Sequence, residues 1–389
     1  MESTVRISTV VLSLFLFIHG LFLAHGISPL FMSFDTQWHL KMVGVEAAWN
    51  YTQGSPAIVV AIIDSGVDLD HPDLFNQTWT NPGEIAGNGL DDDDNGYVDD
   101  VNGWDFRDDD NDPSPGHPHG TKVAGILAAD DDSDISVGIA PEIRIMPIRF
   151  LDDNNKFWDT DWNMFIDAVN YATDNGADVI HLSIQVGTFS TPPQAFHEAI
   201  LRAYNIGIPI VSVTGNNENQ VTYPGNYSEV IAVSAVTSSQ EIASFSAKGD
   251  QNEICAPGVD IPTIKPNSNL TENDSGTSFA APLVSGTIAL MLSLNKTLTI
   301  SIIREILHAT STDLGSLGRD PDYGYGLLNA SAALDTVMQD HNGTIPSFTV
   351  PNQPLESTKS TSGVDLSILE IFPLILATLV FFGSKKKKS

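Results

Sequence analysis

Three short stretches carry side chains whose types combine into one chemistry. "VVAIIDSGVDLDHPDL" sets Asp64 at the end of an apolar, β-branched run. "HPHGTKVAG" sets His119 just before residues with helical spacing. "DSGTSFAAP" sets Ser278 ahead of a long apolar stretch, "LVSGTIALMLSL". A serine hydroxyl is a weak nucleophile until a base takes its proton. Histidine can take it near neutral pH, and a buried aspartate fixes the histidine tautomer and stabilises the imidazolium. A serine at a helix N-terminus also brings its own N–H and the helix dipole to a developing oxyanion. Singly, each residue is ambiguous, since a serine before a helix is most often a cap. Together they point to nucleophilic catalysis.

Such a constellation needs a rigid frame. Strand-like runs occur at 57–63, 143–150, 177–184, 208–215 and 230–236. Between them, 120–129, 163–176 and 192–207 carry helical spacing, the last two closed by Gly176 and Gly207. Apolar strands alternating with helices predict an α/β fold of three layers: a mostly parallel central sheet with helices on both faces. Ligands and reacting groups gather at the carboxyl ends of such strands, where Asp64 falls. His181, inside "ADVIHLSI", is expected to be a hydrogen-bonded interior residue.

At this point the sequence resembles the subtilisin-like serine proteases, over roughly Gln37 to Met338. "AIIDSGVDLDHPDL", "HGTKVAG" and "GTSFAAP" are similar to the three active-site blocks of that family, in its order Asp, His, Ser. The resemblance implies a subtilisin-like fold and peptide-bond hydrolysis on protein or peptide substrates by a monomer. It implies Asp64 as orienting acid, His119 as general base and acid, and Ser278 as nucleophile. "SVTGNNEN" resembles the family's oxyanion loop, which makes Asn216, next to Gly215, the side-chain donor. "HLSIQVG" resembles the substrate-binding strand, so Ser183, Ile184 and Gln185, with Gly215, are expected to line the substrate groove. Gln185 stands at a position that is usually glycine. Lys122 stands where the family often has histidine. The other class of reading is a surface binding protein that uses the same groove without catalysis.

"DDDDNGYVDDVN" places oxygen-bearing residues at alternate positions around a glycine. Asp91, Asp93, Asn95 and Asp99 take positions 1, 3, 5 and 9 of an EF-hand-like loop, with Gly96 at 6 and the Tyr97 carbonyl at 7. Asn102 replaces the usual glutamate at position 12. Structural Ca²⁺ is therefore expected in an insertion at about 81–106. By resemblance, Asp73 and Asp132 suggest a second calcium loop.

Composition and the chain ends set the context. The 389 residues carry 49 acidic against 18 basic side chains, a formal charge of -31. That balance argues against nucleic-acid binding, which needs clustered Lys and Arg. Cys255 is the single cysteine, so no intrachain disulfide forms. Residues 1–26 read as a signal peptide, with Arg6 before the apolar run Val10–Leu23 and a small-residue cleavage site at Ala24–Gly26. The catalytic domain is expected at 35–340, with no folding prodomain ahead of it. A Pro/Ser/Thr-rich linker follows at 341–365, then an apolar span at 366–384 and a basic tail at 385–389. Those ends predict a secreted domain held at the cell surface, with the lysines inside. Sequons at Asn50, Asn76, Asn226, Asn269, Asn273, Asn295, Asn329 and Asn342 permit glycosylation.

Overall fold

A computed structural model describes residues 36–131, 135–186, 191–217 and 219–340. The expected signal peptide, linker, apolar span, basic tail and Asp132 lie outside these residues, as does the sequon at Asn342.

Among the described residues, seven strands form one parallel sheet. They are β1 (Val59–Asp64), β2 (Trp104–Asp105), β3 (Arg144–Arg149), β4 (Val179–Leu182), β5 (Ile210–Val213), β6 (Val230–Val236) and β7 (Asn252–Pro257). Their spatial order is β2-β3-β1-β4-β5-β6-β7. The chain leaves β1 for β3 on one side and returns to β4 on the other, so a switch point lies at β1.

The central strands β1, β5 and β6 are buried on both faces, which is why they read as nearly unbroken apolar runs. Along β1, Val60 and Ile62 enter one core while Ala61 and Ile63 enter the other. This is the two-residue period of a strand. The second core is roofed by α4 (Trp162–Asp174) and α5 (Gln194–Asn205). The apolar stripes Phe165, Ala168, Val169, Ala172 and Phe196, Ala199, Ile200, Ala203 both follow helical i, i+3, i+4, i+7 spacing. The first core is covered by α1 (Trp38–Met42), α2 (Val45–Ala48), α3 (His119–Ala128), α6 (Thr277–Leu294), α7 (Ile300–Thr310) and α8 (Ala330–Asp340). The layer arrangement is the one the sequence pattern calls for.

Helix α6 is the central element of that layer. Every residue from Thr277 to Leu292 is buried, as an all-round apolar helix must be. Its length and hydropathy would suit a membrane span, but 89% of it is buried within the protein, so it is a core helix.

Four strands were not anticipated. Strand β7 extends the sheet past β6, β2 adds its opposite edge, and β8 (Ile261–Ile264) pairs antiparallel with β9 (Thr271–Asp274) just before α6. Lys122 on α3 grips β9 through Glu272 Oε1 at 2.7 Å and Asp274 Oδ2 at 2.8 Å. Its ammonium therefore ties the element carrying His119 to the segment leading into Ser278.

Candidate active site

Asp64 is the last residue of β1 and is fully buried. Its Oδ1 accepts the Ser65 N–H at 2.7 Å, and both carboxylate oxygens face His119 Nδ1, at 2.8 and 3.0 Å. A doubly accepting carboxylate there requires Nδ1–H, leaving Nε2 free to act as a base. His119 opens α3, and Gly120 lets it do so: a Cβ at Gly120 would stand 2.3 Å from the Gly66 carbonyl.

Burial disfavours the His119 imidazolium, but the Asp64 charge and hydrogen bond, with help from Asp274, outweigh it against Lys122. The net result is a pKa above the ordinary histidine value.

Ser278 sits in the first turn of α6 with 8% of its surface exposed. His119, Ser278, Asn216, Ser183, Ile184 and Gln185 all line one cavity of about 270 Å³ at the carboxyl ends of β4 and β5. The Ser278 hydroxyl donates to the Ser183 carbonyl at 3.3 Å, a long bond that leaves the hydroxyl easily redirected. Ser183 returns the contact, its Oγ donating to the Ser278 carbonyl at 2.9 Å.

Asn216 follows the end of β5. Its Oδ1 accepts from both Thr277 N and Thr277 Oγ1, at 2.9 Å each. Because a carboxamide oxygen can only accept, these two donors fix the amide orientation and leave the NH₂ for another acceptor. Gly215 stands behind this wall at φ 109, and a Cβ there would meet Thr222 Oγ1 at 2.8 Å. Gln185 reaches across to the same loop, its Oε1 accepting the Asn216 N–H at 2.7 Å.

The arrangement holds a base, a hydroxyl and an amide donor around one opening, which is the equipment for attack on a carbonyl. Thr277, which fixes Asn216, was missed by the sequence reading; its signal was its place directly before Ser278. Leu151 and Phe157, apolar residues of an otherwise polar loop, also line the cavity.

The insertion also gathers carboxylates beyond the expected EF-hand-like ligand set. Among the described residues, the carboxylates of Glu84, Asp93 and Asp100 lie within 4.8 Å of one another. Only Asp93 belongs to the expected ligand set. Asp91 accepts the N–H groups of Asn95 (3.1 Å) and Gly96 (2.8 Å), and Asp99 accepts those of Asn88 (3.1 Å) and Gly89 (2.8 Å). Asn95 Oδ1 accepts the Tyr97 N–H at 2.8 Å, while Tyr97 packs edge-on against Trp104 and Tyr171. Glu84 Oε2 is buried with no hydrogen-bond partner. Partial desolvation, with the neighbouring Asp100 and Asp93 charges, raises the Glu84 pKa against opposing backbone N–H groups. Crowded carboxylates with an orphaned oxygen fit a hard cation such as Ca²⁺. Near the second suggested loop, Asp73 is fully buried, and Gln77 Oε1 is buried without a partner.

Comparison with known proteins agrees with this frame. A profile of the subtilase family matches residues 55–326. The chain is 36% identical over 293 residues to the thermophilic serine proteinase of Bacillus sp. (strain AK1), covering 74% of this chain and 64% of that one. It is 33% identical over 298 residues to the minor extracellular protease Epr of Bacillus subtilis (strain 168), covering 76% of this chain and 41% of that one. Against subtilisin DY of Bacillus licheniformis it is 34% identical over 281 residues, covering 71% of this chain and 90% of that one. The match thus spans under two thirds of the first two relatives and most of the third. The chain belongs to the subtilase family.

Proposed function

We propose that this chain is a serine endopeptidase that hydrolyses peptide bonds through an acyl-enzyme on Ser278. One observation carries the reading: the His119 ring bonded to Asp64 lines the same cavity as Ser278 and Asn216. Ser278 Oγ attacks the scissile carbonyl while His119 takes its proton and later returns it to the leaving amine. Asp64 holds the imidazole and stabilises its charge. The Asn216 amide and the Ser278 N–H bind the oxyanion. Water then releases the acyl group by the same path. The substrate, a protein or peptide, lies extended along Ser183–Gln185.

Ca²⁺ would stabilise the fold by neutralising the acidic insertion, where Glu84, Asp93 and Asp100 would hold it beside the expected Asp91, Asn95, Tyr97 and Asp99. A second ion would be held by Asp73 and Asp132. The chain ends support export and retention at the surface by a C-terminal span, with glycans on the accessible sequons. The protein acts as a monomer.

A peptide-library digestion tests the reading. Wild type cleaves and the Ser278→Ala variant does not; equal cleavage by both would overturn it.

A further inference from the structure

His181 lies on β4, on the face that meets α6, opposite Ile62 of β1. It is wholly buried, yet both ring nitrogens are bonded. Nδ1 meets Ser285 Oγ on α6 at 2.8 Å, and Nε2 meets Ser183 Oγ at 2.7 Å. Ser183 Oγ lies in turn 2.9 Å from the Ser278 carbonyl.

Proton counting fixes the direction of this chain. A serine hydroxyl has one proton to give, and a carbonyl only accepts. The Ser183 proton therefore goes to the Ser278 carbonyl. The hydrogen bond between His181 and Ser183 must then be donated by Nε2–H. In the neutral ring Nδ1 is left as an acceptor, and the Ser285 hydroxyl donates to it. The chain runs from Ser285 through His181 and Ser183 to the Ser278 carbonyl.

The sequence explains why that carbonyl needs an outside donor. Its partner within α6 would be the N–H four residues on, but that residue is Pro282, which has none. A buried carbonyl left without a donor would be costly. Ser183 supplies one, and His181 holds the Ser183 hydroxyl in the donating orientation.

We propose that His181 is a positioning residue, fixing the backbone of Ser278, and hence its hydroxyl, through Ser183. The inference rests on the reading of Ser278 as nucleophile. The positioning role requires a neutral His181 ring. Burial lowers its pKa to about 4; the nearby Asp64 opposes that shift without reversing it, and His119 adds to it. Protonation would put a hydrogen on Nδ1 facing Ser285 and reverse that end of the chain.

The test uses the full chain with ¹⁵N-labelled histidine. At pH 7 the His181 signals should show a protonated Nε2 and a bare Nδ1. In stopped reactions with a fluorophosphonate, Ser183→Ala and His181→Leu should each slow labelling of Ser278 about tenfold, or about 1.4 kcal/mol in barrier. The double variant should be no slower than the worse single one, and His181→Gln, which keeps a donor, should recover part of the rate. A protonated Nδ1, or wild-type labelling in folded His181→Leu, overturns the proposal. If His181→Leu does not fold, the tautomer and Ser183→Ala decide the question. If wild type is not labelled at all, the endopeptidase reading falls, while the tautomer still tests this hydrogen-bond chain.

Discussion

Ser183 and Ser278 each donate a hydroxyl to the other's backbone carbonyl, at 2.9 and 3.3 Å. This exchange clamps the end of β4 to the start of α6, so Ser183 and the Ser278 hydroxyl share one mounting. The weaker bond is the one that releases the Ser278 hydroxyl.

Asn216→Ala should lower turnover by about 10²–10³ with little change in KM, because its amide binds charge that exists only in the transition state. Thr277→Val removes one of the two bonds that aim this amide. Its effect should be only a few-fold, in line with about 1 kcal/mol for a hydrogen bond. Steady-state kinetics on one peptide substrate check both.

Gln185 spans from the groove wall to the Asn216 loop and occupies part of the cavity. Gln185→Gly should open that space, and the library profile should widen toward bulkier substrate side chains. An unchanged profile would place Gln185 outside the specificity pocket.

The pH profile follows from His119. The base must be neutral to accept the Ser278 proton, so kcat/KM should fall as pH drops through the His119 pKa. That midpoint should lie above the ordinary histidine value, because Asp64 favours the imidazolium.

Two other histidines are shifted the other way, and both lower stability in acid. Burial lowers the pKa of His39 to about 3 and of His181 to about 4. The unfolded chain therefore binds more protons below about pH 6.5, and stability should decline from there toward those values. Both His39 ring nitrogens are buried without partners. His39→Leu should raise the melting temperature and flatten its acid-side slope, by about 1–3 kcal/mol for removing unsatisfied polar groups. Calorimetry across that pH range reads both effects.

Chelation should lower the melting temperature, and Glu84→Gln with Asp93→Asn should blunt that shift. An ion present at 100 times its Kd contributes about 2.7 kcal/mol. An identical melting curve with chelator would remove calcium from the account.

Much of the frame was legible because strong patterns fixed it. Asp64 ends an apolar run that could only be a buried strand, and Ser278 heads a stretch too apolar to face solvent. Other parts depend on contacts a linear pattern does not carry. "NEICAP" has no alternation, and its Asn252 is buried only because the fold brings its amide to Ser234 Oγ at 3.0 Å and the Asp322 carbonyl at 2.8 Å. Alternate spacing in the acidic loop points to Asp91, Asp93 and Asp99, but not to the approach of Glu84 and Asp100 to Asp93, which depends on tertiary folding. His181 showed itself as an interior histidine, but its link to Ser278 required Pro282 and Ser183 to be seen in space.

The most direct test of the central claim is the site of fluorophosphonate attachment, mapped by mass spectrometry on the purified chain with calcium present. A single adduct is expected on the peptide containing Ser278, lost in Ser278→Ala and strongly reduced in His119→Ala. No adduct on wild type, or one on another residue that survives Ser278→Ala, would contradict it.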